Sequence, residues 1–346
     1  MPAVQAYPHR RTHGETVVAL RPTAVPTHQR SRRVLTIAPK YGRGRAAVAV
    51  RYLWRGAADA PTVIVLGGIS ADRDVVGADE ASRPGWWQAL VGAERAIDLN
   101  RCRVLCIDWL TPADFAPGTV GAISSEDQAD ALASLLDALG VESVAACIGA
   151  SYGAMVALAF AARHPARLQQ LVLLAGAHRA HPLATAQRAI QRQIVRLGLA
   201  SGQADAALGL ARQLAMTTYR GSEEFAKRFA GGPVYRDGRF HFPVEDYLAH
   251  AGKRFVERFD VQRFLALSES IDLHDIDPRL VAAPVALIGF GSDRLVPLAD
   301  LCELQRRLHG ATLDVIDTPY GHDGFLKETA KLAPLLRQSL PCCHGV

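Results

Sequence analysis

Short unbroken apolar runs, separated by stretches rich in glycine and aspartate, dominate the chain after its first few dozen residues. Residues 47–54, 62–66 and 104–107 read as strands. Residues 143–148, 171–174 and 285–290 are apolar almost throughout, the pattern of parallel strands covered on both faces, and residues 313–316 make another short strand. Between these runs the period changes. Ala129, Leu132, Leu135, Leu136 and Leu139 recur at helical spacing within residues 126–139, and Gly140 follows where a helix C-terminus favours glycine. Residues 154–163 form a second apolar helix, closed by His164 and Pro165. Strands alternating with helices predict an α/β fold with a mostly parallel central sheet.

Residues 182–279 break the alternation, with helical patterns at 184–199 and 206–219 and few strand signals. An insertion of this kind, placed between two strands, predicts a helical lid over the carboxyl edge of the sheet. The predicted organisation is a flexible basic arm over residues 1–33, a first part of the core over 34–181, the lid over 182–279 and a second part of the core over 280–346.

Composition narrows the function classes. Hydrophobic residues make up 49% and charged residues 21%, and no apolar run reaches the roughly 18 to 20 residues of a membrane span. The formal charge of +5 is concentrated in Arg10, Arg11, Arg21, Arg30, Arg32 and Arg33, without the interleaved aromatic residues of a nucleic-acid surface. No apolar leader follows Arg10 and Arg11, and the six cysteines have neither disulfide-framework nor zinc spacing. The expectation is a cytoplasmic protein with reduced thiols, no metal, no nucleic-acid partner and no membrane association.

The sharpest chemical signal is Gly149-Ala150-Ser151-Tyr152-Gly153. Small residues flanking the serine allow a tight strand-to-helix turn that lifts its hydroxyl out of the backbone, and the strand before it and helix after it supply the required context. A serine hydroxyl needs a base, and the base needs an orienting carboxylate. In chain order after Ser151, Asp293 lies just beyond the strand at 285–290, and His322 lies in the loop after the strand at 313–316. Asp317, His178 and His181 are rivals on similar grounds. The order Ser, acid, His is that of the α/β-hydrolase fold. Oxyanion donors are expected from the backbone N–H groups of Tyr152 and of Gly68, in the early turn Leu66-Gly67-Gly68-Ile69-Ser70.

Taken together, Gly67-Gly68-Ile69-Ser70, Gly85-Trp86-Trp87, Ile148 through Gly153, Leu210-Ala211-Arg212 through Thr218-Tyr219-Arg220, and Gly321-His322-Asp323 resemble the homoserine O-acyltransferase family of methionine biosynthesis. The resemblance implies ping-pong acyl transfer from an acyl-CoA to L-homoserine through Ser151, no cofactor beyond these substrates, and a homodimer formed through the lid. It also implies Arg212 as the clamp on the homoserine carboxylate, Tyr219 as its companion and Asp323 as acceptor for the substrate ammonium. Arg188 stands where acetyl-using members tend to carry Asn, and Gly67-Gly68-Ile69-Ser70 resembles the loop of succinyl-using members. The resemblance therefore points to succinyl-CoA, with Arg188 as the acyl-specificity residue and Arg192 its rival. Acetyl transfer, serine as acceptor and a plain carboxylesterase are the alternatives.

Overall fold

The computed structural model describes residues 27–79 and 82–344. Its frame is an eight-stranded sheet built from β1 (Thr27–Ile37), β2 (Ala46–Gly56), β3 (Thr62–Leu66), β4 (Arg103–Ile107), β5 (Ala146–Ala150), β6 (Leu171–Leu174), β7 (Val285–Phe290) and β8 (Thr312–Ile316). Their spatial order is β1-β2-β4-β3-β5-β6-β7-β8. β1 and β2 pair antiparallel, as do β2 and β4, and every later junction is parallel.

The helices follow the strands in sequence. α1 (Ser125–Ala138) joins β4 to β5 and α2 (Tyr152–Arg163) joins β5 to β6. α3 (Pro182–Ala200), α4 (Ala204–Tyr219), α5 (Ser222–Arg228), α6 (Pro243–Val256) and α7 (Val261–Asp272) all fall between β6 and β7. α8 (Leu298–Arg307) separates β7 from β8, after which come α9 (Gly324–Lys327) and α10 (Thr329–Ser339). The segment between β6 and β7 also holds a small hairpin, Val234–Arg236 with Arg239–His241, that the sequence pattern does not announce. None of the described helices is long and apolar enough to cross a membrane.

Strand alternation divides the core into two layers. Ile64 and Leu66 of β3 join the layer containing α1 and α2, whereas Val63 and Val65 join the opposite layer with Trp87 and α10. Central β5 and β7 are buried at every position, as continuous apolar runs require. α1 is capped by Ser124, whose hydroxyl accepts from Asp127 N–H while the Asp127 carboxylate accepts from Ser124 N–H; Gly140, at φ +69°, follows its end.

The flexible basic arm expected over residues 1–33 does not hold for residues 27–33. Residues 27–33 belong to β1, which pairs with β2 from Thr27 opposite Gly56 to Ile37 opposite Ala46. At a sheet edge, backbone pairing suffices and few apolar side chains are needed: in β1 only Leu35 and Ile37 are buried among the residues whose side chains are described. Exposed Arg30, Arg32 and Arg33 instead guard the edge against further pairing, and Arg30 also reaches Asp74 at 2.8 Å. Residues 1–26, with Arg10, Arg11 and Arg21, lie outside the described residues.

Candidate active site

Parallel strands collect their carboxyl ends on one edge, and the chemistry-bearing loops leave from there. Ser151 sits between β5 and α2 with φ 57° and ψ −121°, a left-handed conformation that costs a non-glycine residue about 1 to 3 kcal/mol. The glycines beside it permit the turn. A Cβ on Gly149 would lie 2.2 Å from the Gly153 carbonyl oxygen, and one on Gly153 would lie 2.3 Å from that of Leu66. The elbow is therefore packed backbone to backbone against the end of β3, and Gly153 N–H donates to Gly67 O at 2.9 Å.

Asp293, just after β7, is almost wholly buried and accepts from Leu295 N–H at 2.8 Å and Val296 N–H at 3.1 Å. Its other oxygen lies 2.7 Å from His322 Nδ1, and His322 Nε2 lies 2.7 Å from Ser151 Oγ. A carboxylate only accepts, so Nδ1 carries the proton and Nε2 is free to accept from the serine hydroxyl. Burial alone would push the His322 pKa down, but the charge and hydrogen bond of Asp293, helped by the charge of Asp323, outweigh it. The net direction is upward from the ordinary value of 6.5.

The two loops carrying Asp293 and His322 are clipped together by Ser292. Its hydroxyl donates to the Thr318 carbonyl and accepts from Gly321 N–H at 3.1 Å. The imidazole packs between Tyr219 and Phe325, with ring centroids 6.1 Å and 5.9 Å away. The rivals stand elsewhere or do other work. His178 meets Arg307 at 2.9 Å, His181 lines the cavity but caps α3 through Leu183 N–H, and the carboxylate on His322 Nδ1 is that of Asp293, not Asp317.

Gly68 lies against the nucleophile: a Cβ placed on it would be 3.9 Å from Ser151 Oγ. Trp109 Nε1–H holds the Gly68 carbonyl at 3.0 Å, fixing this peptide from outside. Tyr152 opens α2, so its N–H belongs to the first turn, where N–H groups have no intrahelical acceptor. Its side chain turns away into the core, where the phenol meets Ser270 Oγ at 2.6 Å and the ring packs edge-on against Trp109. Gly68 and Tyr152 thus present backbone to the site, with no side chain between them and Ser151 on the Gly68 side.

These groups open into a cavity of about 1030 Å³, part of it continuous with solvent, whose far wall is supplied by α3, α4 and α7. Arg188, Arg212, Tyr219 and Asp323 line it, as do Gly68, Ile69 and Ser70; Gly67 lies behind, in contact distance of Trp86 for any added Cβ. Arg212 stacks 5.1 Å from the Tyr219 ring and 4.7 Å from that of Phe255, without an ion-pair partner among the described residues. Arg188 donates to Asp272 from Nε at 2.8 Å and Nη2 at 2.7 Å. Arg192 reaches the other Asp272 oxygen at 2.6 Å but does not line the cavity. Two cations share one carboxylate, leaving that corner with an excess positive charge.

Sequence reasoning did not identify Arg220, Asp272, Ser292 or Trp109. Arg220 Nε donates to Asp323 at 2.8 Å, and its Nη1 lies 3.4 Å from Glu224. The adjacency of Arg220 to Tyr219 was a usable signal; the partnership of Asp272 with Arg188 and Arg192, 84 and 80 positions away, had none. No cluster of metal-ligating side chains occurs among the described residues. The six cysteines are all free, and the buried Cys147 thiol has a pKa well above its ordinary value, because burial disfavours the thiolate.

Comparison with known proteins bears on the fold and the family. Residues 61–329 match the family model for the alpha/beta hydrolase fold. The chain is 46% identical over 304 residues, covering 87% of it and 81% of the relative, to a homoserine O-succinyltransferase of Xanthomonas campestris pv. campestris. It is 33% identical over 318 residues, covering 79% of it and 85% of the relative, to an L-serine/homoserine O-acetyltransferase of Streptomyces lavendulae. The crystal structure of a homoserine O-acetyltransferase from Bacillus anthracis superposes with a TM-score of 0.82 at 18% identity, covering 90% of this chain and 97% of that one, a likeness of fold. The chain belongs to the α/β-hydrolase fold family, in its homoserine O-acyltransferase branch.

Proposed function

We propose that this enzyme is a homoserine O-succinyltransferase of methionine biosynthesis. The carrying observation is that the hydrogen-bonded chain Ser151–His322–Asp293 opens into the same cavity as Arg188, Arg212 and Asp323. A hydrolase needs only the first three. Charged groups of both signs around the cavity suit a donor with a terminal carboxylate and an acceptor that is a zwitterion.

In the first half-reaction Ser151 Oγ attacks the thioester carbonyl while His322 Nε2 takes the hydroxyl proton. The developing oxyanion is held by the N–H groups of Gly68 and Tyr152. Collapse expels the CoA thiolate, which leaves with the proton from His322. In the second, His322 removes the proton of the homoserine hydroxyl, whose oxygen attacks the acyl-serine carbonyl; the ester departs and Ser151 recovers its proton from His322. Asp293 keeps the imidazole in the tautomer both steps require.

Arg212 would bind the homoserine carboxylate, its planar fork already stacked on Tyr219 and Phe255. Asp323 would take the ammonium with the oxygen not engaged by Arg220. The succinyl carboxylate would sit by Arg188, where the charge shared with Arg192 exceeds that of Asp272. The name carried by the 46% identical relative describes the same reaction.

The same reading includes a homodimer packed through the helical segment and a cytoplasmic location. Exposed Leu183, Ile190 and Leu197 recur every seventh residue along α3, with exposed Leu210 on α4, which supports the first. Free cysteines support the second. Sedimentation would show a species of twice the chain mass.

The test is a matrix of succinyl-CoA and acetyl-CoA against homoserine and serine, with mass spectrometry of the enzyme after donor alone. The expected result is a succinyl adduct on Ser151, absent in Ser151→Ala, and fastest turnover with succinyl-CoA and homoserine. CoA release indifferent to homoserine would instead establish an esterase.

A further inference from the structure

A second cleft opens beside the catalytic cavity and shares Gly68, Ser70, Arg212, Phe325 and Leu326 with it. Its outer part is walled by Arg83, Trp86 and Arg258, with Arg30 at the β1 edge. Arg83 and Arg258 also line a third, adjoining depression that includes Arg263. Several guanidinium groups thus gather on the outer part of a cleft whose inner wall borders the cavity that holds Ser151.

Two of the three carboxylates lining these depressions are already paired with arginines; the third, Asp72, has its pKa raised mainly by burial, against the opposing charge of Arg83. Asp74 pairs with Arg30, Asp108 pairs with Arg73 and Arg51, and Asp72 accepts from the Asp74 N–H. Arg83 and Arg258 have no ion pair among the described residues. Among the described residues the Arg258 guanidinium donates to the Arg254 carbonyl, at 3.2 Å. Partial burial, then the like charges of Arg83, Arg254 and Arg212, push its pKa down from the ordinary guanidinium value. Gathered like charges repel one another, and a polyanion is the ligand that would relieve them.

We propose that Arg83 and Arg258 form the docking site for the phosphates of the CoA donor, with Gly68, Ser70, Phe325 and Leu326 of the shared wall guiding the acyl-thioester arm to Ser151. This rests on the acyl-CoA reading above and adds to it the place where the nucleotide end is held. The phosphates would stay at the solvent edge, where guanidinium groups bind them without deep burial, while the phosphate-free arm with its succinyl thioester enters, its terminal carboxylate directed to Arg188. The acceptor would approach by the Arg212 and Asp323 side.

The experiment compares succinyl-CoA with succinyl-N-acetylcysteamine, which has the same thioester and no phosphate, using the wild type and Arg83→Ala/Arg258→Ala. The expected result is a fall of about tenfold in kcat/KM for succinyl-CoA. The truncated donor should be unaffected, and the salt dependence of the succinyl-CoA reaction should become shallower. The charge-retaining pair Arg83→Lys/Arg258→Lys should recover most of the loss. Equal losses with both donors, or no loss with either, would overturn the site while leaving succinyl transfer intact. Calorimetric titration with adenosine 3′,5′-bisphosphate separates the two claims. Binding that disappears in the alanine pair, in an enzyme that no acyl-CoA acylates, would uphold the site and reject the transferase reading.

Discussion

Replacing Arg188 with alanine tests donor choice most directly. In the native corner, Arg188 and Arg192 share Asp272, so two positive charges face one negative charge; after Arg188→Ala the remaining Arg192–Asp272 pair, at 2.6 Å, is neutral. A carboxylate about 4 Å from an excess unit charge, at an effective dielectric near 20, gains about 4 kcal/mol. Removing that carboxylate from water opposes the gain, leaving a net of about 2 to 3 kcal/mol. At 1.36 kcal/mol per decade this is roughly a 30- to 150-fold fall in kcat/KM for succinyl-CoA. Acetyl-CoA has no such carboxylate and should change little. The assay is the ratio of kcat/KM for the two donors at saturating homoserine; Arg192→Ala, which also removes the excess charge but takes away no group lining the cavity, should shift the ratio in the same direction. A ratio unchanged by Arg188→Ala, because both donors fall together or neither does, would refute the reasoning and reduce Arg188 to a brace between α3 and α7.

Further outcomes are expected from the same geometry. The rate should fall on acidification as His322 protonates, with the midpoint for kcat/KM above 6.5 in the wild type and lower in Asp293→Asn, where the charge that raises it is gone; kcat should also drop by about 10⁴-fold in that variant. The raised pKa also has a sign for stability: the contribution is fully present below the unfolded value near 6.5 and is lost as pH rises through the folded value, which thermal melts at several pH values would reveal. Arg212→Ala should raise the KM for homoserine and leave burst acylation by succinyl-CoA nearly unchanged, as stopped-flow measurement of CoA release would show. Gly149→Ala should lower the melting temperature, because its Cβ would lie 2.2 Å from backbone that cannot yield; about 3 kcal/mol is expected, and a variant as stable as the wild type would refute the packing argument.

Much of this architecture is written in local pattern, and what is missing is missing for a physical reason. β3, β6 and β7 coincide with the apolar runs at 62–66, 171–174 and 285–290, since a strand buried on both faces must be apolar at each position. β1 escaped the same logic, because an edge strand is held by backbone pairing and tolerates Arg30, Arg32 and Arg33. Ser151, Asp293 and His322 could be chosen as a set because each follows the carboxyl end of a legible strand, and they meet within 2.7 Å contacts. Arg188 and Arg212 were visible as residues, but what holds them was not. Asp272 lies 84 positions from Arg188, and Phe255 stacks on Arg212 from a different helix. Such pairings have no sequence period, because they arise only when α3, α4, α6 and α7 pack together.

The placement of five helices between β6 and β7 divides labour along the polypeptide. The proton path runs through turns anchored to the sheet, whereas the walls facing the two reactants come largely from the intervening helices. Amino-acid changes in those helices can therefore exchange one acyl chain or one amino alcohol for another while the reactive oxygen and its imidazole stay in register. Diversification within this scaffold is free to proceed by remodelling the enclosure rather than the engine.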